Sequence, residues 1–351
     1  AWEALGKIPR AMWQDYLGWF RTVLGLPVTN GVALTAITPA TEGRVEVTTS
    51  EGVLRTRHLI LATGRDGLGG PRIPEWVRLP RGARIRHSSE AIDFAALAGK
   101  RIAVVGASAS AVDNAATALE QGATEAHLLV RRGSIPVLNR FKSMVHPGFT
   151  HGMPALDDAT RIAFLKSANE GAVAPPRESL MRLSRQPGFR LHLGSPVAEA
   201  VDDADGVTLT LPGGALRVDM LILGTGFMTD LAMRPELAAI APEARLWRDV
   251  VKDAGDFAAH PYLDAGFAFT ERRPGAAPWL GRVHAFNIAA IANLGLVSGD
   301  IPGVSDGARR VAEHIAGALF RADAAAHLAK LRAYEDLELL GDEIPDSARA
   351  S

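Results

Sequence analysis

Apolar residues recur along the chain with two different periods. Between residues 1 and 25, Trp2, Ile8, Met12, Trp13, Tyr16, Leu17, Trp19, Phe20, Val23 and Leu24 fall at helical spacing. This predicts an amphipathic helix, broken near Pro9 and closed at Gly25, whose aromatic stripe belongs to the core. Residues 28–37, 44–49 and 53–62 read as three strands, with Asn30-Gly31, Glu42-Gly43 and Glu51-Gly52 as turns. Pro71, Pro74 and Pro80 then mark an extended linker. Residues 101–105 form a short apolar run of the kind a buried strand shows. A turn of small residues follows at 106–111 and opens a helix with Val112, Ala115, Ala116 and Leu119 on one face. Gly122 closes that helix, and 126–130 is a second buried strand ending in Arg131-Arg132. Beyond it the pattern predicts a loop at 134–149 and helices at 158–169 and 178–185. Strands follow at 190–201, 207–211, 215–223, 261–269 and 282–286, then helices at 303–319 and 322–340, the last ending near Gly341.

The strand, turn, helix, strand unit at 100–132 has the length of a dinucleotide-binding half, and its turn has specific chemistry. Backbone must come close to a pyrophosphate, so large side chains are excluded, and free amides at the helix start supply donors and a positive dipole end. Gly106 keeps the first glycine of the G-x-G-x-x-G pattern, while Ser108 and Ala111 stand at the second and third. Ala107, Ala109 and Ser110 complete a turn in which every side chain is small. Where an NAD site carries an acid for the ribose 2'-hydroxyl, this chain has Arg131 and Arg132. An arginine fork suits a 2'-phosphate, which points to NADPH rather than NADH.

A repeat runs through the chain. GVLRTRHLILATG at 52–64 matches GALRVDMLILGTG at 214–226 at Gly, Leu, Arg, Leu, Ile, Leu, Thr and Gly. The chain therefore looks like two nucleotide-binding units. The spacing from Gly106 to Gly226, applied to Gly64, puts the first unit's glycine turn upstream of residue 1.

Net charge is -1 over 351 residues, so no global field favours nucleic acid or a membrane surface. The absence of cysteine excludes disulfides, thiolate metal sites and a redox-active Cys pair. His146, His151, His260 and His284 lack metal-ligand spacing, and no metal is expected. No apolar run approaches the roughly 20 residues of a membrane-spanning helix and no signal-peptide pattern opens the chain, so the expected location is the cytoplasm.

Two nucleotide units, strands ending in Ala62-Thr63-Gly64 and Gly224-Thr225-Gly226, a proline linker, His87-Ser88, the turn at 106–111 and Arg131-Arg132 together resemble the flavin-dependent monooxygenases of the FMO type. The resemblance covers essentially the whole chain. Only His87 and Ser88 match the motif ahead of the NADPH unit, since Arg81 and Ala83 stand where the family has an aromatic residue and a glycine. Pro261-Tyr262-Leu263, Pro278-Trp279-Leu280 and Phe286-Asn287 also look like a bacterial subgroup that includes urate hydroxylases.

The resemblance implies an α/β fold of two Rossmann-like domains, with the NADPH domain inserted in an FAD domain whose first part is incomplete. The expected divisions are 1–82 and 223–351 for the FAD side and 83–222 for the NADPH side. It implies FAD and NADPH as cofactors, with NADPH reducing the flavin, oxygen adding to give a hydroperoxide, and one oxygen passing to a small amine, sulfur or heterocyclic substrate. The expected partners are that substrate and O2, with a homodimer as the candidate assembly. Because a hydroperoxide decays in water, the site needs a closed apolar cavity with a few placed amides, for which Asn287 and Asn293 are the candidates; each reads equally as a buried asparagine that satisfies backbone groups beside a turn. Asp300 is expected to face the flavin ribityl chain or to cap the helix that follows it. His87 and Ser88 are expected to order the linker and NADPH, and Thr63, Gly64, Thr225 and Gly226 to line the cofactors. Arg140 and Lys142 read as an exposed basic loop. Two alternatives stay open: a reductase of the thioredoxin-reductase plan with a non-thiol acceptor, and a nucleotide-binding protein without turnover.

Overall fold

The computed structural model describes residues 8–78 and 80–340, with 343 and 348. Trp2 and the helix end at Gly341 lie outside them. The chain opens with α1 (Arg10–Val23), then β1 (Leu34–Pro39), β2 (Val45–Thr49) and β3 (Gly52–Thr56) in an antiparallel sheet, and β4 (Leu59–Ile60). β5 (Gly69–Pro71) and β6 (Ile85–His87) lead to β7 (Arg101–Val105), α2 (Ala109–Glu120) and β8 (Glu125–Leu129). α3 (Pro147–Gly152), α4 (Asp158–Asn169) and α5 (Arg177–Ser184) follow, then β9 (Phe189–His192). A second antiparallel sheet holds β10 (Glu199–Asp203), β11 (Gly206–Leu211) and β12 (Gly214–Val218). The chain continues through β13 (Met220–Leu223), β14 (Phe227–Thr229), β15 (Val283–His284), α6 (Ile291–Leu294), α7 (Ile301–Ala322) and α8 (Ala324–Arg332).

The central sheet is parallel throughout, in the order β6-β13-β7-β8-β9. Ile102, Ala103 and Val104 are buried because both faces of this sheet are covered, which explains the unbroken apolar run in the sequence. On one face α2 presents Ala111, Ala115, Ala116 and Ala118, whose small side chains let the helix lie close to the strands. On the other face lies the β10-β11-β12 sheet, through Val207, Leu209 and Val218.

The internal repeat is visible as structure. In each copy a three-stranded antiparallel sheet hands its last strand, β3 or β12, to a parallel strand, β4 or β13, and ends in a Thr-Gly turn. Gly64 and Gly226 both take positive φ, 67° and 77°. The copies differ in what surrounds the parallel strand. β13 sits between β6 and β7, whereas β4 pairs with β15 alone among the described residues and leaves its other edge free.

Four expectations change. The strand expected over 53–62 is two strands, because Thr56 Oγ1 donates to His58 O and the chain turns there out of one sheet into another. The run 215–223 divides likewise at Asp219, which exchanges two 2.7 Å hydrogen bonds with the Arg101 backbone. The run 190–201 divides where Gly194 takes φ 61° and the chain passes from the central sheet to the second antiparallel one. Residues 261–269 form a turn closed by single bridges such as Leu263 to Phe269, with Asp264 Oδ1 accepting from Gly266 N and Ala268 N.

The largest departure is α1. Its stripe was expected in the core, yet α1 has no buried residue, and Trp19 is 57% exposed. Tyr16 packs on Trp13, Trp19 and Phe20 along the helix itself, and no other described element covers that face. Residues 134–149, expected as a loop, contain a 3-10 turn at Arg140–Met144 and lead into α3. With α4 they build a core against the C-terminal part, joining Met144, Met153, Ile162 and Leu165 to Trp247 and Ile291.

Candidate cofactor cradle and hinge

All five strands of the central sheet run the same way, so their carboxyl ends collect on one edge. His87 ends β6, Gly224 follows β13, Gly106 follows β7, and Val130 to Arg132 follow β8. Open α/β sheets bind ligands outside this edge, where neighbouring strands send their connections to opposite faces. Here that point lies between β7 and β13. Gly106 takes φ 129°, and a Cβ there would stand 2.4 Å from Gly224 O and 3.1 Å from Ala111 Cβ. The turn is therefore as tight as the backbone allows, and Gly106 N donates to Leu129 O at 3.0 Å.

Ala107, Ser108 and Ala109 remain partly exposed, and Ser110 is exposed. Ser108 holds the N-cap position of α2 in extended conformation, but its side chain makes no capping bond. The first amides of the helix thus lack the side-chain acceptor that usually satisfies them, which suits a diphosphate. Next door, Arg131 is exposed. Arg132 is committed elsewhere, its guanidinium donating to Gly171 O. Of the two arginines grouped by sequence, the structure leaves Arg131 the freer.

The chain crosses between its two units at one place. β5 and β14 pair antiparallel, with Pro71 opposite Phe227. Thr225 Oγ1 donates to Arg72 O at 2.5 Å, and Gly226 O accepts from Arg72 N at 2.9 Å. His87, fully buried, joins this knot: Nε2 lies 3.0 Å from the same Gly226 O, while Nδ1 accepts from Ser89 N and contacts Ser89 Oγ at 2.7 Å. These partners fix the Nε2–H tautomer, and burial pushes the imidazole pKa down from its ordinary value. His87 is thus a neutral brace that sets the Thr225-Gly226 turn. Ser88 continues it through its amide, which donates to Leu223 O at 3.0 Å.

The first copy ends in a matching arrangement. Thr63 Oγ1 donates to Gly67 O at 2.8 Å, and Gly64 bridges to Asn287. Asn287 is buried with its amide fully engaged: Nδ2 donates to Leu61 O and Thr63 Oγ1, and Oδ1 accepts from Ala289 N. Asn293 is buried too, accepting from Leu263 N at 2.8 Å and donating to Pro261 O at 2.9 Å. Both amides hold the chain's own backbone. Asp300 is exposed and caps α7, Oδ1 accepting from Ile301 N at 3.0 Å.

Comparison with known proteins gives this arrangement a family. Residues 6–170 match the family model described as pyridine nucleotide-disulphide oxidoreductase. The chain is 37% identical over 348 residues to the FAD-dependent urate hydroxylase of Xanthomonas campestris pv. campestris, covering 97% of this chain and 74% of that one. The chain belongs to the FMO-type flavoprotein monooxygenases. The fold agrees with that of a Kutzneria sp. 744 ornithine N-hydroxylase, at TM-score 0.68 and 18% identity over 87% of this chain and 76% of that one. It agrees likewise with a Pseudomonas syringae L-lysine 6-monooxygenase, at TM-score 0.65 and 21% identity over 92% of this chain and 78% of that one.

Two features of this monooxygenase were not visible in its sequence. The first is a buried network around Arg161, whose guanidinium pairs with Asp158, donates to Asn293 O at 3.1 Å and lies 5.1 Å from the centre of the Trp247 ring. Tyr262 OH donates to the same Asp158 at 3.0 Å. The second is a cavity of about 190 Å³ between α3, the segment before it, and the start of α7. Both bring together residues more than a hundred positions apart, which no local spacing announces.

Proposed function

We propose that this protein is an FAD- and NADPH-dependent monooxygenase acting on a small nitrogen-containing molecule. The observation that carries the reading is the uncapped start of α2 at the switch point of the parallel sheet, with Arg131 leaving the adjoining strand. The residues present fit NADPH. The amides of Ala109, Ser110 and Ala111 and the Ser108 hydroxyl would hold its diphosphate, the pinned Gly106 would let it approach, and Arg131 would take the 2'-phosphate.

For FAD the described residues supply Thr63-Gly64 and the free edge of β4, and Asp300 and Thr225-Gly226 are proposed to border it. They contain no counterpart of the Gly106 turn for its diphosphate. When bound, the nicotinamide supplies hydride and the flavin activates O2. The chain's own part is positional: His87 fixes the hinge turn, and Asn287 ties the end of β4 to the segment after β15. The urate hydroxylase relative supports a heterocyclic substrate.

The test is cofactor preference. Arg131→Ala should weaken NADPH binding about tenfold or more in calorimetry and leave NADH binding unchanged. Arg132→Ala should have the smaller effect, because its guanidinium is already taken by Gly171. Equal losses for both cofactors would overturn the assignment.

A further inference from the structure

Residues 134–174 leave the central sheet after β8 and return ahead of α5, so both of their stems stand at the sheet's carboxyl edge. Between the stems, α3 and α4 pack away from that sheet. Met153, Ile162 and Leu165 share a core with Trp247, Phe257 and Ile291. The cores on the two faces of the central sheet include no residue from 140–169. The partners of this segment are continuous with the C-terminal core, where Leu246, Ala290 and Leu294 pack with Ile37, Val47 and Val283.

Polar contacts run the same way. Arg161 donates to Asn293 O at 3.1 Å, and Tyr262 OH donates to Asp158 at 3.0 Å. Lys166 pairs with Asp253 at 2.6 Å, Asn169 donates to Asp256 at 3.0 Å, and Arg310 donates to Thr150 O at 3.1 Å. Pulling this face apart would strand the buried Arg161 charge away from its acceptors, which is costly. The stems are built differently. The Arg132 guanidinium donates to Gly171 O and Ala174 N donates to Leu138 O at 3.0 Å, closing the neck of the segment. Gly133 and Ser134 are exposed, Gly171 and Ala172 take positive φ of 80° and 66°, and Pro136, Pro175 and Pro176 stiffen the chain beyond them. Bending therefore concentrates at 133–134 and at 171–172, where Ala172 already holds a conformation its Cβ disfavours.

We propose that residues 140–169 are carried by the C-terminal body, and that when the central-sheet unit turns on the β5–β14 strip the chain gives at 133–134 and 171–172 while the α4 fastenings hold. This moves 140–169 out of the 83–222 unit expected from the sequence. α3 and α4 then form a stationary wall beyond the carboxyl edge, and the cradle at Gly106 and Arg131 is the side that moves.

The chain has no cysteine, so introduced thiols carry spin labels without background. In the full chain, Ala163→Cys on α4 is paired either with Ala316→Cys on α7 or with Gln121→Cys just after α2, all at exposed positions. Double electron–electron resonance should give a narrow distance distribution for 163–316 and one about twofold broader or more for 163–121. A 163–316 distribution as broad as that of 163–121, or broader, would overturn the proposal. Hydrogen exchange reads the same division without labels. Arg161→Lys keeps the charge but loses the planar fork, and should speed exchange about tenfold in α4 and at 291–296 while leaving β7 and β8 unchanged. Acceleration that extends equally to β7 and β8, or that is absent from 291–296, would overturn it as well.

Discussion

Asn287 shows what a single side chain does in this structure. It satisfies Leu61 O, Thr63 Oγ1 and Ala289 N at once and is itself fully buried. Asn287→Ala should cost about 2–3 kcal/mol, read as a lower urea midpoint with unchanged slope, because buried backbone groups lose their partners. Asn287→Asp should be little better, since a carboxylate cannot donate to Leu61 O. From the sequence, an asparagine in an apolar run reads equally as a catalytic amide or a brace, and only the partners distinguish them. The histidines give a pH prediction at the same scale. Burial lowers the His260 pKa from 6.5 to about 4, with Nδ1 held by Ala289 O. Burial, then the neighbouring His284, lowers His58 to about 4 as well, where its Nδ1 lies 2.9 Å from His284 Nε2. Both groups are neutral in the fold and protonate more readily when unfolded. Their contribution is therefore intact above pH 6.5 and is lost as pH falls from there toward 4. The melting temperature should be flat from pH 8 to 7 and drop between pH 6.5 and 4, and His260→Gln should reduce that drop.

Among the elements, β7 with α2 is the one whose function depends on the tightest contact. Gly106→Ala would press a methyl group against Gly224 O and demand φ 129° of an alanine. A loss of about 2–3 kcal/mol in stability is expected, with NADPH binding lost in calorimetry even where the chain remains folded. This element is legible in sequence because everything that shapes it is local: a buried five-residue run, a turn of small side chains and an alanine-rich helix face. The helix at 158–169 is legible for the same reason, with Asp157 accepting from Thr160 N as its cap. The long runs 53–62 and 215–223 are legible as strands but not as pairs of strands. The break depends on which sheet each half joins, and that choice is made by distant partners, β15 for Leu59–Ile60 and β7 for Met220–Leu223. The α1 stripe carries the same lesson. Periodicity identifies an apolar face, but which element covers that face is not written in the helix.

At the scale of the whole molecule, the repeat organises two units that share a plan, and the ribbon of β5 and β14 carries both crossings between them. The duplication is readable from thirteen aligned positions, whereas the contact that 140–169 makes with the C-terminal part is not, since it rests on side chains such as Arg161 reaching Asn293 and Lys166 reaching Asp253. That second contact changes how the molecule can move. A body joined to its neighbour by one narrow strip can swing about it. Here the inserted unit is also fastened on the far side, through Arg161, Tyr262 and the packed rings around Trp247. Turning about the strip would strain the chain between β8 and that segment or shear those fastenings, so a change in the angle between the two halves is opposed at two separate places.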